Sequence, residues 1–166
     1  GCKNLVICCS VDSYAETYAM KNAIDYVPYP DIKKATGSNT VVDRLKGFIY
    51  GVPEAMTTID GTIETVGGAS TEVIPYSGSI LGTGSTVNVI YNGNIVKTYE
   101  VVIFGDVNGN GQISPLDALM TLQNASGVVA FDDLLAFAGD VNDSGSISAL
   151  DALKILQYAS GIITEL

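Results

Sequence analysis

Apolar and polar residues follow three different rhythms along this chain. In residues 1–35 the apolar run Leu5–Cys9 predicts a strand. Ala15, Tyr18, Ala19 and Ala23 then recur at three- and four-residue spacing, which predicts a short amphipathic helix. The extended segment IDYVPYP follows, closed by Pro28 and Pro30. Residues 36–104 are rich in β-branched residues and punctuated by Gly47, Gly51, Gly67, Gly68, Gly82 and Gly84. There Thr86–Tyr91 and Asn94–Phe104 flank Asn92-Gly93, the pair that best tolerates the positive φ of a type I′ turn, so a hairpin is predicted. Along its second strand Ile95, Tyr99, Val101 and Ile103 fall on one face, with Thr98 and Glu100 on the other. A small antiparallel sheet or sandwich is the expected result. Residues 105–166 switch to a helical rhythm, and the fold class is a multi-module α+β chain: a small sheet or sandwich followed by an all-α module.

The all-α module is written twice. Asp106 to Gly127 reads DVNGNGQISPLDALMTLQNASG and Asp140 to Gly161 reads DVNDSGSISALDALKILQYASG, an offset of 34 residues. Oxygen-bearing side chains recur in each copy at the spacing of a calcium loop, which supplies ligands from positions 1, 3, 5, 7, 9 and 12. In the first copy these are Asp106, Asn108, Asn110, the main-chain carbonyl of Gln112, Ser114 and Asp117. In the second they are Asp140, Asn142, Ser144, the carbonyl of Ser146, Ser148 and Asp151. Position 6, which turns sharply with positive φ, is Gly111 and Gly145. Ile113 and Ile147 at position 8 are expected to pair the loops and anchor them to the core. A lone D-x-N-x-N-G would be only a polar turn. The repeated acid at position 12 and the repeated helix behind it favour two Ca2+ ions.

Each loop runs straight into a helix. Ser114-Pro115-Leu116-Asp117 is an N-cap, a proline at the first helical position and an acid at N3, and Ser148-Ala149-Leu150-Asp151 repeats it. Gly127 and Gly161 stand where C-terminal glycines belong. Metal ligation and helix nucleation therefore share Asp117 and Asp151. The loops offer only two formal charges each, with Asp in place of the longer Glu at position 12, so modest affinity is expected, weaker in loop two because of Ser144. No helix is expected to precede either loop in the manner of a full EF-hand: strand-like VVIFG leads into the first, and a short apolar connector into the second. That connector, with Val129, Phe131, Leu134, Leu135 and Phe137, is expected to form a short helix packed between the repeats.

Composition and charge narrow the partners. With 16% charged and 47% hydrophobic residues, the chain is a folded one. Its net charge is −10, and from Asp106 onward eight acids face the single Lys154. Such a segment repels nucleic acid and anionic membranes, so neither is an expected partner. No apolar run is long enough to span a bilayer. Cys2, Cys8 and Cys9 without any His disfavour zinc, and Cys8 and Cys9 are expected to be small buried hydrophobes. The opening GCKNL shows neither Met nor a signal-peptide pattern, and the chain is expected to be a C-terminal portion of a longer protein, so this end does not report on export.

Over 105–166, GDVNGNGQISPLDALMTLQ and GDVNDSGSISALDALKILQY resemble the type I dockerin family. The resemblance implies a non-catalytic, calcium-stabilised module, monomeric apart from its cohesin partner, that attaches its parent to a scaffold protein or cell surface. Such modules serve extracellular cellulosomes and related polysaccharide-degrading assemblies. The family's partner-reading positions fall on Pro115, Leu116, Leu122 and Gln123, and on Ala149, Leu150, Leu156 and Gln157. The apolar pairs at Pro115-Leu116 and Ala149-Leu150 look like ruminococcal variants. Near-identity of the copies implies two docking poses related by 180°. Residues 36–104 look like a small β-module of the kind that adjoins dockerins, and residues 1–35 resemble the last unit of a bacterial leucine-rich-repeat array.

Two other readings compete with docking. An EF-hand-like calcium sensor would need entering helices that are not expected here. A carbohydrate-binding β-module would use Tyr50, Tyr76, Tyr91 and Tyr99, in a chain without Trp. No constellation supports catalysis.

Overall fold

The computed structural model describes residues 5–166; the opening GCKN, with Cys2, lies outside the described residues. A parallel pair comes first, β1 (Val6–Cys9) and β2 (Asp25–Pro28), joined through α1 (Tyr14–Lys21). Ser13 caps α1 by accepting the Glu16 N–H at 3.2 Å. The expected apolar stripe is reduced to one residue: Ala19 is fully buried, whereas Tyr18 is exposed and Ala23 lies beyond the helix with φ +51. A two-stranded surface is too narrow to cover more. Cys9 is buried but Cys8 is exposed, because successive strand residues point to opposite sides.

The β-module follows with β3 (Asp31–Lys34), β4 (Val41–Asp43), β5 (Phe48–Tyr50), β6 (Ile63–Val66), β7 (Ser70–Ile74), β8 (Thr86–Tyr91) and β9 (Asn94–Val102). One sheet has the order β4-β5-β9-β8-β7, and β3 pairs with β6 in a second. Although β3 precedes residue 36, its Ile32 is fully buried in the same core as Ile49, Leu81, Val87 and Val101. The large sheet is mixed, not purely antiparallel, because β5 runs parallel to β9. The predicted β8–β9 hairpin is present, with φ of +50 at Asn92 and +76 at Gly93. Ile95 does not join Tyr99 and Val101 on the inner face. A register shift at Val89/Ile90 turns it outward, and it is 58% exposed.

Asp31 locks this core to its rim. Its carboxylate accepts from the Tyr99 hydroxyl at 2.7 Å and from Arg44 Nε at 3.1 Å, with Lys97 Nζ at 3.5 Å. Burial by itself would raise the Asp31 pKa. The hydrogen bonds from Tyr99 and the Ile32 N–H, the charge of Lys97 and the hydrogen bond from Arg44 outweigh it and hold the carboxyl below its usual value. Tyr99 is pushed up in turn by its burial and by that same carboxylate.

The helical module comprises α2 (Pro115–Ala125), α3 (Asp133–Gly139) and α4 (Ala149–Ala159). Helices α2 and α4 pack against each other. The connector does form a helix, α3, but it packs on the outer face of β5 and β9 instead of between the repeats. Phe137 is the reason. Its ring centroid lies 5.6 Å from Phe48, 5.4 Å from Tyr50 and 5.3 Å from Phe104, and Lys46 Nζ sits 3.9 Å above it. Phe48 and Val102 leave an apolar outer sheet face that α3 covers, so sheet and helices share one core. Among the described residues no helix is long and apolar enough to cross a membrane.

Candidate functional site

Loop one closes around Asp106 and Asp117, both fully buried. Asp106 Oδ1 accepts the N–H groups of Gly109 and Asn110 at 3.0 and 3.2 Å, and Oδ2 that of Gly111 at 2.9 Å. Asp117 reaches back from the helix: Oδ1 accepts from Val107 and Asn108, each at 3.1 Å, and Oδ2 from the Ser114 N–H and hydroxyl at 2.9 and 2.7 Å. Asp117 thus bonds both the loop backbone and the helix cap. Gly111 has φ +80, as the sharp turn demands.

Loop two repeats the frame. Asp151 is fully buried and accepts from Asn142 N–H at 3.2 Å and from Ser148 N–H and Oγ at 2.9 and 2.8 Å. Asp140 accepts from Ser144 and Gly145 N–H at 3.0 and 2.7 Å. Ser144 differs from its counterpart Asn110 in direction: its hydroxyl donates at 3.0 Å to the carbonyl of Ser146, the position-7 oxygen. Gly127 (φ +74) and Gly161 (φ +70) end the two helices. The glycine N–H donates to Asn124 O or Tyr158 O, each at 2.9 Å, and the next N–H reaches back to Gln123 O at 2.9 Å in one copy and to Gln157 O at 2.8 Å in the other, the paired hydrogen bonds of a Schellman cap.

α3, the short helix expected in the connector, runs directly into loop two with Asp140 as its C-cap, and at 7 residues it is a brief lead-in. Ile113 packs against the core as expected, but the position-8 residues do not pair through it, because its N–H donates to Glu54 Oε2 at 3.1 Å. Glu54 comes from the β-module, and so does Thr83, whose N–H donates to Asp106 Oδ2 at 3.0 Å. Neither had a signal in the sequence, since Glu54 lies 59 residues from Ile113 and Thr83 23 residues from Asp106.

The oxygen sets suit a hard divalent cation. Asp106 and Asp117 are buried together without an ion pair among the described residues. Burial pushes the Asp106 carboxyl above its usual range, and the neighbouring Asp117 charge adds to this, against the N–H bonds from Thr83, Gly111 and Gly109. A bound cation would remove that penalty. Asn108, at loop position 3, carries a buried Nδ2 without a partner, while its Oδ1 accepts the Asn110 N–H at 3.0 Å. No three His, Cys, Asp or Glu side chains converge among the described residues; each loop presents two carboxylates and several neutral oxygens.

The other sequence-predicted residues lie on the α2–α4 face. Pro115, Leu116, Ala149 and Leu150 are exposed. Leu122 and Leu156 are 43% and 42% exposed and thus not core, while Gln123 and Gln157 are half-buried. Pro115, Ala118, Leu119 and Leu122 line one half of a groove of about 340 Å³, and Ala149, Ala152, Leu153 and Leu156 line the other. Each residue of the first set is the 34-residue counterpart of one in the second. Leu119 and Leu153 were missed, although their three-residue spacing from Leu116, Leu122, Leu150 and Leu156 could have marked them. Of the tyrosines weighed for a sugar surface, Tyr99 is buried and Tyr50 belongs to the aromatic cluster around Phe137.

Residues 104–160 match the family model described as dockerin type I domain, and this part of the chain is a type I dockerin domain. No curated protein matches the chain. Two solved structures from Acetivibrio cellulolyticus are similar to it. Both contain the third cohesin ScaC in complex with the ScaB dockerin, with an IN to SI mutation in the N-terminal helix of one and the C-terminal helix of the other, displaying a type I interaction. Identities are 31% and 33%, covering 39% and 37% of this chain and 92% and 86% of theirs, with TM-scores of 0.38 and 0.35.

Proposed function

We propose that this chain is a calcium-dependent docking module that binds a cohesin through the α2–α4 groove, outside the cell, and so attaches its parent protein to a scaffold or cell surface. The observation that carries the proposal is the groove itself, an apolar trough whose two walls are copies of each other. Completing the burial of a half-exposed leucine contributes roughly 1 kcal/mol, and Leu119, Leu122, Leu153 and Leu156 offer four. Asp106, Asn108, Asn110, the Gln112 carbonyl, Ser114 and Asp117 would hold one Ca2+, and the matching set from Asp140 to Asp151 a second. The ions supply positive charge that neutralises paired carboxylates at the start of each helix. The chain's own residues then set the geometry: Asp117 and Asp151 tie the loops to α2 and α4, and the fixed helices hold the groove open.

The repeat gives this surface an approximate two-fold, so Pro115-Leu116 and Ala149-Leu150 can each take the leading position. Changing Pro115 and Leu116 to Glu should weaken capture on immobilised type I cohesins by about twofold, the statistical loss of one of two poses. Adding the same changes at Ala149 and Leu150 should abolish it. Complete loss from the first pair alone rules out the second pose. Capture that survives a calcium chelator undiminished rules out the metal-dependent account. In the same reading the segment before β3 is the last unit of a leucine-rich-repeat array, the stretch from β3 to residue 104 an adjoining β-module, and the apolar pairs mark a ruminococcal-type partner in a polysaccharide-degrading assembly.

A further inference from the structure

We infer that the β-module is an outer wall for loop one alone, with Glu54 and the Ile80–Thr83 segment holding that loop in its metal-ready shape before an ion arrives. The two copies are then unequal calcium sites, loop one tight and loop two weak. The inference rests on the calcium reading above and concerns positioning residues, none of which is a ligand.

Four contacts build the wall. Thr83 N–H donates to Asp106 Oδ2 at 3.0 Å, and Ala55 N–H to the Gly111 carbonyl at 2.8 Å. Glu54 accepts the Ile113 N–H at 3.1 Å through Oε2 and the Tyr158 hydroxyl at 2.9 Å through Oε1, so it ties loop one to α4 across the module boundary. The fourth is close backbone packing. A Cβ at Gly111 would overlap the Leu81 carbonyl, and one at Gly109 would lie 2.7 Å from the Thr83 carbonyl oxygen.

Loop two lacks this wall. The hydrogen bonds to the Asp140 carboxylate come from Ser144 and Gly145 of its own loop. A Cβ at Gly145, the counterpart of Gly111, would meet nothing within 4 Å. The counterpart of Tyr158 in the first copy is Asn124, so the tie has no mirror image. A loop held in place beforehand loses less conformational freedom when the ion binds, which raises affinity without adding a ligand.

The test is calorimetric calcium titration of the whole chain after chelator treatment. Asp140→Ala leaves loop one as the binding site, and Asp106→Ala leaves loop two. Loop one should bind roughly tenfold more tightly. Glu54→Ala should weaken loop one by about tenfold and leave loop two within about twofold. Glu54→Gln, which keeps the size and one acceptor, should fall between, and serves if the alanine variant does not fold. In the metal-free chain, hydrogen exchange should find the Gly111 amide protected and that of Gly145 open. Equal affinities, or a Glu54 effect shared by both loops or absent from both, overturns the inference while leaving calcium binding intact. No binding at either loop overturns the calcium reading as well.

Discussion

Loop one and loop two share a ligand pattern, a capping acid and a C-terminal glycine, yet the turn of one is packed into a second module and the turn of the other is exposed. Their differences in sequence follow from what each touches. Position 4 is Gly109 where the Thr83 carbonyl and the Tyr76 ring crowd the loop, and Asp143 where it is exposed and tolerates φ +55. Met120 packs towards Phe48 and Val102, whereas its counterpart in the second copy is Lys154. Tyr158 reaches Glu54 where the first copy has Asn124. What the copies hold in common is the ligand frame and the groove. A duplicated module can thus keep a symmetric docking face while one end of its back is joined to another domain.

Removing calcium should break the comparison most visibly. Saturating ligand stabilises by about 3–4 kcal/mol at a hundred to a thousand times its dissociation constant, and chelation removes this. Hydrogen exchange should then show loop two and the start of α4 opening before loop one; simultaneous opening would mean that the β-module gives loop one no support. Next in size, exchanging position 4 between the copies should be strongly one-sided. Gly109→Asp should lose about 3 kcal/mol in urea unfolding, through overpacking against Thr83 and Tyr76. Asp143→Gly should change stability by less than about 1 kcal/mol, since strain relief and added unfolded-state entropy oppose each other.

Two smaller changes sharpen the contrast. Thr121 is fully buried with its hydroxyl unpartnered, where the second copy has the fully buried Ile155. Thr121→Val should therefore raise the thermal midpoint, by an amount equivalent to about 1 kcal/mol. Tyr158→Phe removes one hydrogen bond to Glu54 and should lower stability by about 0.5–1.5 kcal/mol. A melting temperature unmoved by Tyr158→Phe would show that α4 gains nothing from the tie.

The sequence alone determined whatever is local. The ligand spacing, Gly111 and Gly145 at the turns, the Ser-to-Asp caps, the Asn92-Gly93 hairpin and the two Schellman glycines all depend on residues within one loop or one helical turn. Their stereochemistry leaves few alternatives, and the 34-residue repeat states it twice. Tertiary structure decided how distant segments meet. Nothing local told that β5 would pair parallel to β9, that Phe137 would take α3 onto the sheet, or that a register shift would turn Ile95 outward. Nor did it tell that Glu54 would claim the Ile113 N–H from 59 residues away. Such pairings are chosen by which apolar faces and unpaired polar groups remain once local structure has formed, a sum over the whole chain that no short window contains. The shared frame of the two loops was written in the sequence, as was the Ser144 that sets loop two apart, and the contacts of Thr83 and Glu54 to loop one arise only when the β-module folds against it.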